Sequence, residues 1–460
     1  MTSSRSTEIA RGAIQAILVR ERQRFEREHP LSARAAASAN AHWLHGVPMH
    51  WMHDWGTPFP IVVKEAQGAH LLDVDGKRYA DFCLGDTGAM FGHSPLPVAR
   101  ALAEQAGRGL TCMLPSNEVS AVGAALARVF RLPYWQVTQT ASDANRCVLR
   151  WARGITGRRF VLVFDGCYHG MVDDTCVELE RGCTVSMPSL IGQVYDLASA
   201  TRVVAFNDLP AIEQALKARD IACVLCEPAL TNTGMVLPDP GLHLALRELT
   251  RKHGTLLAID ETHTLSTGLG GYSRVCGLEP DFLVVGKAVA GGFPCAVYGF
   301  NAELRERMLG VVAGKPEGYS GMGTTLSANA LAMAALNACL SEIMTPAAYS
   351  HMIDHAVMLE EGLDEVFRPD GWPFCVTRIG ARLELLFRAE PPRNAVEASV
   401  GLDDELSLSL RLYLANRGVL ITPFHNMMLV SPATTRADLE ALRGGFADWL
   451  RELKPDPHRS

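Results

Sequence analysis

Lysine is scarce in this chain: seven lysines stand among 43 basic residues in 460. Arginine carries nearly all the positive charge. An ordinary surface cation can be either residue, but an amine that must shed a proton and attack a carbonyl cannot be replaced by a guanidinium. A lysine kept inside an apolar stretch is therefore informative. A positive balance is also missing. The formal net charge of −7 argues against partners such as nucleic acid or an anionic membrane surface. No apolar run approaches the ~20 residues of a membrane span. The first residues carry charge throughout (Arg5, Glu8, Arg11, Arg20, Glu21, Arg22), with no apolar block of a signal peptide, so the expected location is cytoplasmic. Paired metal-ligand motifs are lacking as well. Among twelve scattered cysteines, Cys223-Val-Leu-Cys226 resembles half a zinc site. It lies in a strand, where positions three apart face opposite sides, and has no second pair. Buried, reduced thiols are expected.

What is present is alternation. Strand-like runs at Trp135–Thr138, Arg159–Phe164, Cys223–Cys226, Leu256–Asp260, Phe282–Val285 and Cys295–Phe300 are separated in several places by amphipathic helices at Asp143–Ile155, Pro210–Arg219 and Pro240–His253. Pro240 suits a first helical turn and Gly254 a helix end. Near-continuous apolar strands between helices mean a mostly parallel sheet covered on both faces. Residues 1–80 read as a helical arm followed by short strands with a hairpin turn at Asp75-Gly76. Residues 81–330 form the large domain. Residues 331–460, with long helices and the strands Phe374–Ile379 and Leu383–Phe387, form a smaller α/β domain.

Open parallel sheets bind ligands beyond the carboxyl ends of their strands. The notable polar residues fall there: Tyr168 and His169, Glu227, Asp260 and Lys287, each after a different strand. Lys287 follows Phe282-Leu-Val-Val-Gly286, and apolar surroundings favour the neutral amine of a Schiff-base lysine. A snorkelling lysine at a strand end is the plainer alternative. Asp260 emerges from an apolar strand and needs a partner, either an arginine or a protonated heterocyclic nitrogen. Thr140-Ala141-Ser142-Asp143 opens a helix whose free amides and dipole attract a phosphate, although Ser142 is equally a simple cap. Tyr168 lies within Gly166-Cys-Tyr-His-Gly170, where its ring can stack on a flat ligand. Thr324 and Thr325 offer further hydroxyls before a helix. An amine nucleophile, a carboxylate for a ring nitrogen, a stacking aromatic and a phosphate cradle together describe pyridoxal 5′-phosphate.

At these residues, and over roughly Pro60 to Ala447, the sequence resembles the class III aminotransferases of PLP fold type I, most closely their glutamate-1-semialdehyde aminomutase-like branch. The matching stretches include Leu72-Asp-Val-Asp-Gly-Lys-Arg-Tyr79, Gly92-His93, Thr156-Gly-Arg158, Gly166–Gly170, Glu227-Pro228, Asn232-Thr-Gly234, Asp260-Glu261, Gly286-Lys287 and Thr325-Leu-Ser327 with Asn329. The resemblance implies that Lys287 holds the cofactor as a Schiff base, that Asp260 pairs with the pyridine nitrogen, and that Tyr168 lies against the ring. It puts Ala141 and Ser142 on the phosphate and Asn232 near the phenolic oxygen. It also implies a homodimer with shared sites, in which Thr325 reaches the phosphate of the neighbouring subunit. The chain departs from the family pattern near the substrate. Thr262-His263 follows Asp260-Glu261 where valine is usual, placing a polar group under the ring, and Asp86-Thr87-Gly88 replaces a Trp-Gly-Pro segment.

The expected function is an aminotransferase moving an amino group between an amine or amino acid and a carbonyl acceptor. The alternatives are an intramolecular aminomutase of the glutamate-1-semialdehyde type, an amino-acid racemase, or a catalytically silent binding module of the same fold. A nicotinamide dehydrogenase lacks its fingerprint, because Gly268-Leu-Gly270-Gly271 does not join a strand to a helix at the required spacing. Three further features bear on substrate. The cluster His42-Trp43-Leu-His45 with His50-Trp51-Met-His53-Asp54-Trp55 reads as an aromatic lid or, less simply, a zinc site. Arg378 and Arg382 could clamp a carboxylate or form a solvated face. His425-Asn426 is a third candidate.

Overall fold

The computed structural model describes residue 9 and residues 11–454. Its centre is a seven-stranded sheet with the spatial order Tyr134–Thr138, Ala296–Phe300, Phe282–Val285, Leu256–Asp260, Ile221–Cys226, Phe160–Phe164 and Thr201–Val204. Ala296–Phe300 runs antiparallel to both neighbours, and the pairings from Phe282–Val285 to Thr201–Val204 are all parallel. Every residue of Ile221–Cys226, Leu256–Asp260 and Phe282–Val285 is buried. That explains their unbroken apolar character: both faces are covered, so no position alternates to solvent. Cys223 and Cys226 are buried free thiols within this sheet.

The helix Ala141–Thr156 begins where the Thr140 hydroxyl accepts from the Asp143 amide (3.1 Å). The helix Leu242–His253 ends at Gly254, in the left-handed conformation. Its start differs from expectation. Gly241, also left-handed, is the N-cap, so Pro240 stands outside the first turn. The edge strand Thr201–Val204 and the hairpin Val177–Glu180 with Cys183–Ser186 escape a reading by pattern. Each is four residues long and carries polar or charged positions.

The C-terminal lobe holds an antiparallel sheet of Cys375–Ile379, Arg382–Leu386 and Met427–Leu429, packed against the helices Pro346–Phe367, Asp404–Ala415 and Arg436–Leu453. The N-terminal helix Arg11–Glu28 inserts Ile14, Ile17 and Leu18 into that same core, alongside Phe446 and Trp449. The antiparallel strands Val63–Gln67, His70–Asp73 and Arg78–Asp81 are extended by the parallel pair Val419–Leu420. The N-terminal segment and the last lobe thus share a core. Asp75 sits in the expected hairpin turn, but its carboxylate also accepts from the Leu31 (2.6 Å) and Ser32 (2.9 Å) amides, capping the helix Pro30–Ala39 across the chain.

Among the described residues no single helix is long and apolar enough to cross a membrane. The bent pair Ala330–Ile343 and Pro346–Phe367 passes a test of length and composition only. These helices contribute Met333, Leu336, Leu359 and Leu363 to the two cores.

Trp449 is fully buried in the shared core and donates its indole N–H to Ser409 Oγ (3.1 Å). Trp449→Ala should cost about 3–5 kcal/mol of stability, read as a lowered urea midpoint of the cofactor-free protein. A midpoint equal to that of the parent would contradict this packing.

Candidate active site

Because the strands Phe160–Phe164, Ile221–Cys226, Leu256–Asp260 and Phe282–Val285 run parallel, the segments that follow them converge at one edge. There they line a cavity of about 300 Å³ that includes Tyr168, His169, Glu227, Asp260 and Lys287, together with Ala141, Ser142 and Thr262. The expected strand-end constellation is therefore assembled in space. Asn232 and Thr325 are not among its lining residues. Thr325 is exposed and lies on a separate cavity with Met113 and Asn329.

Asp260 is buried and fully engaged on its inner side. Its Oδ2 accepts from Asn145 Nδ2 (2.8 Å) and lies 3.0 Å from His169 Nδ1, while Oδ1 accepts from the Thr262 amide (3.1 Å). The partner within the chain is thus a histidine and an amide, not the arginine considered from sequence. Burial opposes the charge on Asp260, but His169, Thr262 and Asn145 outweigh it and hold the carboxylate below its usual range. His169 is wholly enclosed. Burial lowers its basicity, yet Cys167 and Asp260 raise it well above the ordinary imidazole value.

Glu227 accepts from the Tyr168 amide (3.1 Å) and the Thr231 amide (3.2 Å), and burial raises its pKa. It fixes the backbone that presents Tyr168. Burial pushes the Tyr168 phenol up to about 12. The Trp51 ring stands 6.0 Å from Tyr168 and 5.3 Å from Phe424, so the aromatic segment near the N-terminus reaches the loop that carries Tyr168.

The helix beginning at Ala141 brings its N-terminus to the cavity. Crowding there is strict. A Cβ on Gly170, whose φ is +78°, would fall 2.1 Å from Ser142 Oγ, and one on Gly286 would fall 2.8 Å from the Ala141 methyl. The Ser142 hydroxyl accepts from the Met171 amide (3.0 Å), tying this turn to the loop that carries Tyr168 and His169.

Lys287 adopts φ +47°, an uncommon conformation for a side-chain-bearing residue and one that the surrounding fold must enforce. Its apolar flank covers the backbone only. The amine Nζ meets Asp86 Oδ2 at 2.7 Å and His263 Nε2 at 2.8 Å. Burial works against the Asp86 carboxylate, but Lys287, His263 and Arg382 hold it well below the usual range. Asp86 and His263 were visible in the sequence only as departures from a family pattern. No strand-end rule points to them.

Neither arginine considered for a carboxylate clamp is open. Arg378 pairs with Glu360 and donates to the Gly380 carbonyl (3.1 Å). Arg382 is completely buried, donating to Thr87 Oγ1 (2.8 Å) and the Thr231 carbonyl (3.3 Å), and standing 3.0 Å from His263 Nδ1. His425 faces Glu384, with Nδ1 to Oε2 at 3.0 Å.

The donor set fits pyridoxal 5′-phosphate. An amine, a held carboxylate, an aromatic face and a tight helix N-terminus surround one cavity. Among the described residues, the buried Thr262 Oγ1, His169 Nε2 and Asn145 Oδ1, at or next to it, find no hydrogen-bond partner.

The His169–Asp260 pair has a pH signature. The lowered aspartate contributes stability above its ordinary pKa, and that contribution is lost as pH falls through the lowered folded value. The raised histidine contributes fully below its ordinary pKa, and that contribution is lost as pH rises through the raised folded value. The Tm of cofactor-free parent minus that of His169→Asn should therefore be largest between about pH 4 and 6.5 and shrink on either side. A difference independent of pH would refute the ion pair.

A family model described as aminotransferase class-III matches residues 51–444. Glutamate-1-semialdehyde 2,1-aminomutase 2 of Brevibacillus brevis is 33% identical over 388 residues, 83% of this chain and 89% of that protein. The crystal structure of a glutamate-1-semialdehyde-aminomutase variant from Pseudomonas aeruginosa PAO1 in complex with PMP is 48% identical, with a TM-score of 0.95, covering 97% of this chain and 99% of that one. An omega-transaminase from Sphaerobacter thermophilus is 26% identical with a TM-score of 0.85, over 94% and 99%. The chain belongs to the class III aminotransferases, pyridoxal-phosphate-dependent enzymes of fold type I.

Proposed function

We propose that this enzyme is an intramolecular aminomutase of the glutamate-1-semialdehyde type, moving an amino group between neighbouring carbons of one substrate. The observation that carries this reading is the near-complete, 48% identical match to the glutamate-1-semialdehyde-aminomutase from Pseudomonas aeruginosa PAO1. It reverses the order of the expectation from sequence, which set two-substrate transamination first.

Pyridoxal phosphate, when bound, supplies an electron-poor ring that accepts carbanion electrons. The chain supplies the rest. The N-terminus of the Ala141 helix and Ser142 take the phosphate. Asp260, braced by His169 and Asn145, keeps the ring nitrogen protonated. Tyr168 would cover the ring, with the Thr262 hydroxyl under it, while Asn232 is assigned to the phenolic oxygen on the family resemblance alone, since it does not line the cavity. Lys287 would hold the cofactor's aldehyde and, as a free amine, would take a proton from the substrate carbon and return it. Asp86 and His263 flank that amine in the meantime. We assign a cytoplasmic homodimer, with Thr325 reaching the neighbouring phosphate site. Its exposure and its distance from its own cavity support this.

Transamination with a separate acceptor remains a second reading, on one observation. Among the described residues no arginine lines the cavity, and Arg382 is already committed, which suits an amine without a carboxylate.

The two readings separate in one assay. Purified holoenzyme given glutamate-1-semialdehyde alone should convert it to the isomer with the amine on the adjacent carbon, with no added amine acceptor. A strict requirement for a keto-acid or aldehyde acceptor would overturn the aminomutase reading. Lys287→Ala should lose at least about a hundredfold in kcat/KM. It should also lose the peptide label that borohydride leaves on position 287 of the parent, read by mass spectrometry.

A further inference from the structure

His263 is the least expected member of the site. Four separate segments converge on it. Lys287 comes from the end of the Phe282 strand, Asp86 and Thr87 from the loop after Arg78–Asp81, Arg382 from the small-lobe sheet, and His425 from the loop before Met427–Leu429. Both ring nitrogens are engaged. Nε2 is 2.8 Å from Lys287 Nζ, and Nδ1 is 3.0 Å from both Arg382 Nη1 and Thr87 Oγ1.

Hydrogen-bond chemistry fixes the proton. A guanidinium only donates, so the Nδ1 it faces must accept. Thr87 is no competing acceptor that would favour Nδ1–H, because its own oxygen already receives Arg382 Nη1 (2.8 Å) and its hydroxyl hydrogen is free to point at Nδ1. With Nδ1 bare, a neutral imidazole carries its hydrogen on Nε2, aimed at Lys287. An ammonium there would present a donor to a donor. An uncharged amine accepts from Nε2–H through its lone pair and donates to Asp86.

We propose that His263, locked by Arg382 and Thr87 with its hydrogen on Nε2, is a positioning residue that opposes protonation of Lys287. Asp86 acts in the contrary direction, favouring the ammonium. The two neighbours therefore hold the freed lysine between proton acceptor and proton donor, as a residue that takes up a proton and releases it again must be held. In this role the proton passes from Nζ to the Asp86 carboxylate 2.7 Å away, breaking N–H and forming O–H, and returns by the reverse step. Burial first, with the Arg382 charge beside Nδ1, keeps the His263 imidazole neutral, and Asp86 only partly offsets them. His425 Nδ1 in turn stands 3.0 Å from Glu384 Oε2. The inference rests on family membership alone and holds whether the substrate is an amino aldehyde or a simple amine.

The test reads the lysine directly in cofactor-stripped enzyme. Acetic anhydride labelling is followed from pH 6 to 10, and occupancy at Lys287 is quantified by mass spectrometry against exposed Lys64 as internal reference. His263→Leu should move the Lys287 profile to higher pH by about one unit, a roughly tenfold loss of label on its acid side. Asp86→Asn should move it to lower pH. A general loosening of the site would shift both variants alike, so the opposite signs are diagnostic. A His263→Leu profile that overlays the parent or moves to lower pH overturns the proposal. Neutron diffraction from deuterium-exchanged parent crystals decides independently if the variant does not fold. A deuteron on Nε2 with Nδ1 bare supports the lock, and a deuteron on Nδ1 overturns it.

Discussion

A carboxylate at the end of a fully buried strand is costly to keep charged, and the site of this enzyme is arranged around meeting that cost. Asp260 retains its charge because His169, Asn145 and the Thr262 amide all donate to it. Those donors come from a loop, a helix and the turn that follows the strand itself. Satisfying Asp260 therefore also fixes the loop that carries Tyr168 and the helix whose N-terminus faces the cavity. Glu227 repeats the device one strand away, accepting from the Tyr168 amide while its own neighbour Thr231 reaches the small lobe through Arg382. The cavity is rigid on this side because its polar groups brace each other.

The opposite side is built differently. Lys287 is met by groups of opposite character: a carboxylate from the loop after the N-terminal sheet and an imidazole faced by a buried arginine of the C-terminal lobe. The two lobes are thus joined at the reacting amine and not only at their packing surfaces. The N-terminal helix, which shares a core with Phe446 and Trp449, and Trp51, which packs against Tyr168 and Phe424, extend that link to the first fifty residues.

The strand-end groups of the cavity and the neighbours of Lys287 come from different parts of this architecture. The strand-end residues and the helix N-terminus follow the class III pattern. Asp86, Thr87, Thr262 and His263 depart from it, and they cluster around the amine and the space beside it.

Six central strands and the helices between them were legible along the chain because parallel, doubly covered strands must be apolar throughout and because helix ends carry local signals such as Thr140 and Gly254. Lys287, Asp260, Tyr168 and His169 were legible for the same reason, since a polar residue closing an apolar strand stands out. Pairing was not. Nothing local announces that His169 answers Asp260, 91 residues away, that Arg382 faces His263 across 119, or that Asp75 caps a helix 43 residues before it. A one-dimensional pattern records which positions must be buried or turned, because those demands are local. Which buried charges meet is decided only when separate segments close on one volume, so the sequence by itself determined the cofactor class, and the tertiary structure alone decided the company the lysine keeps.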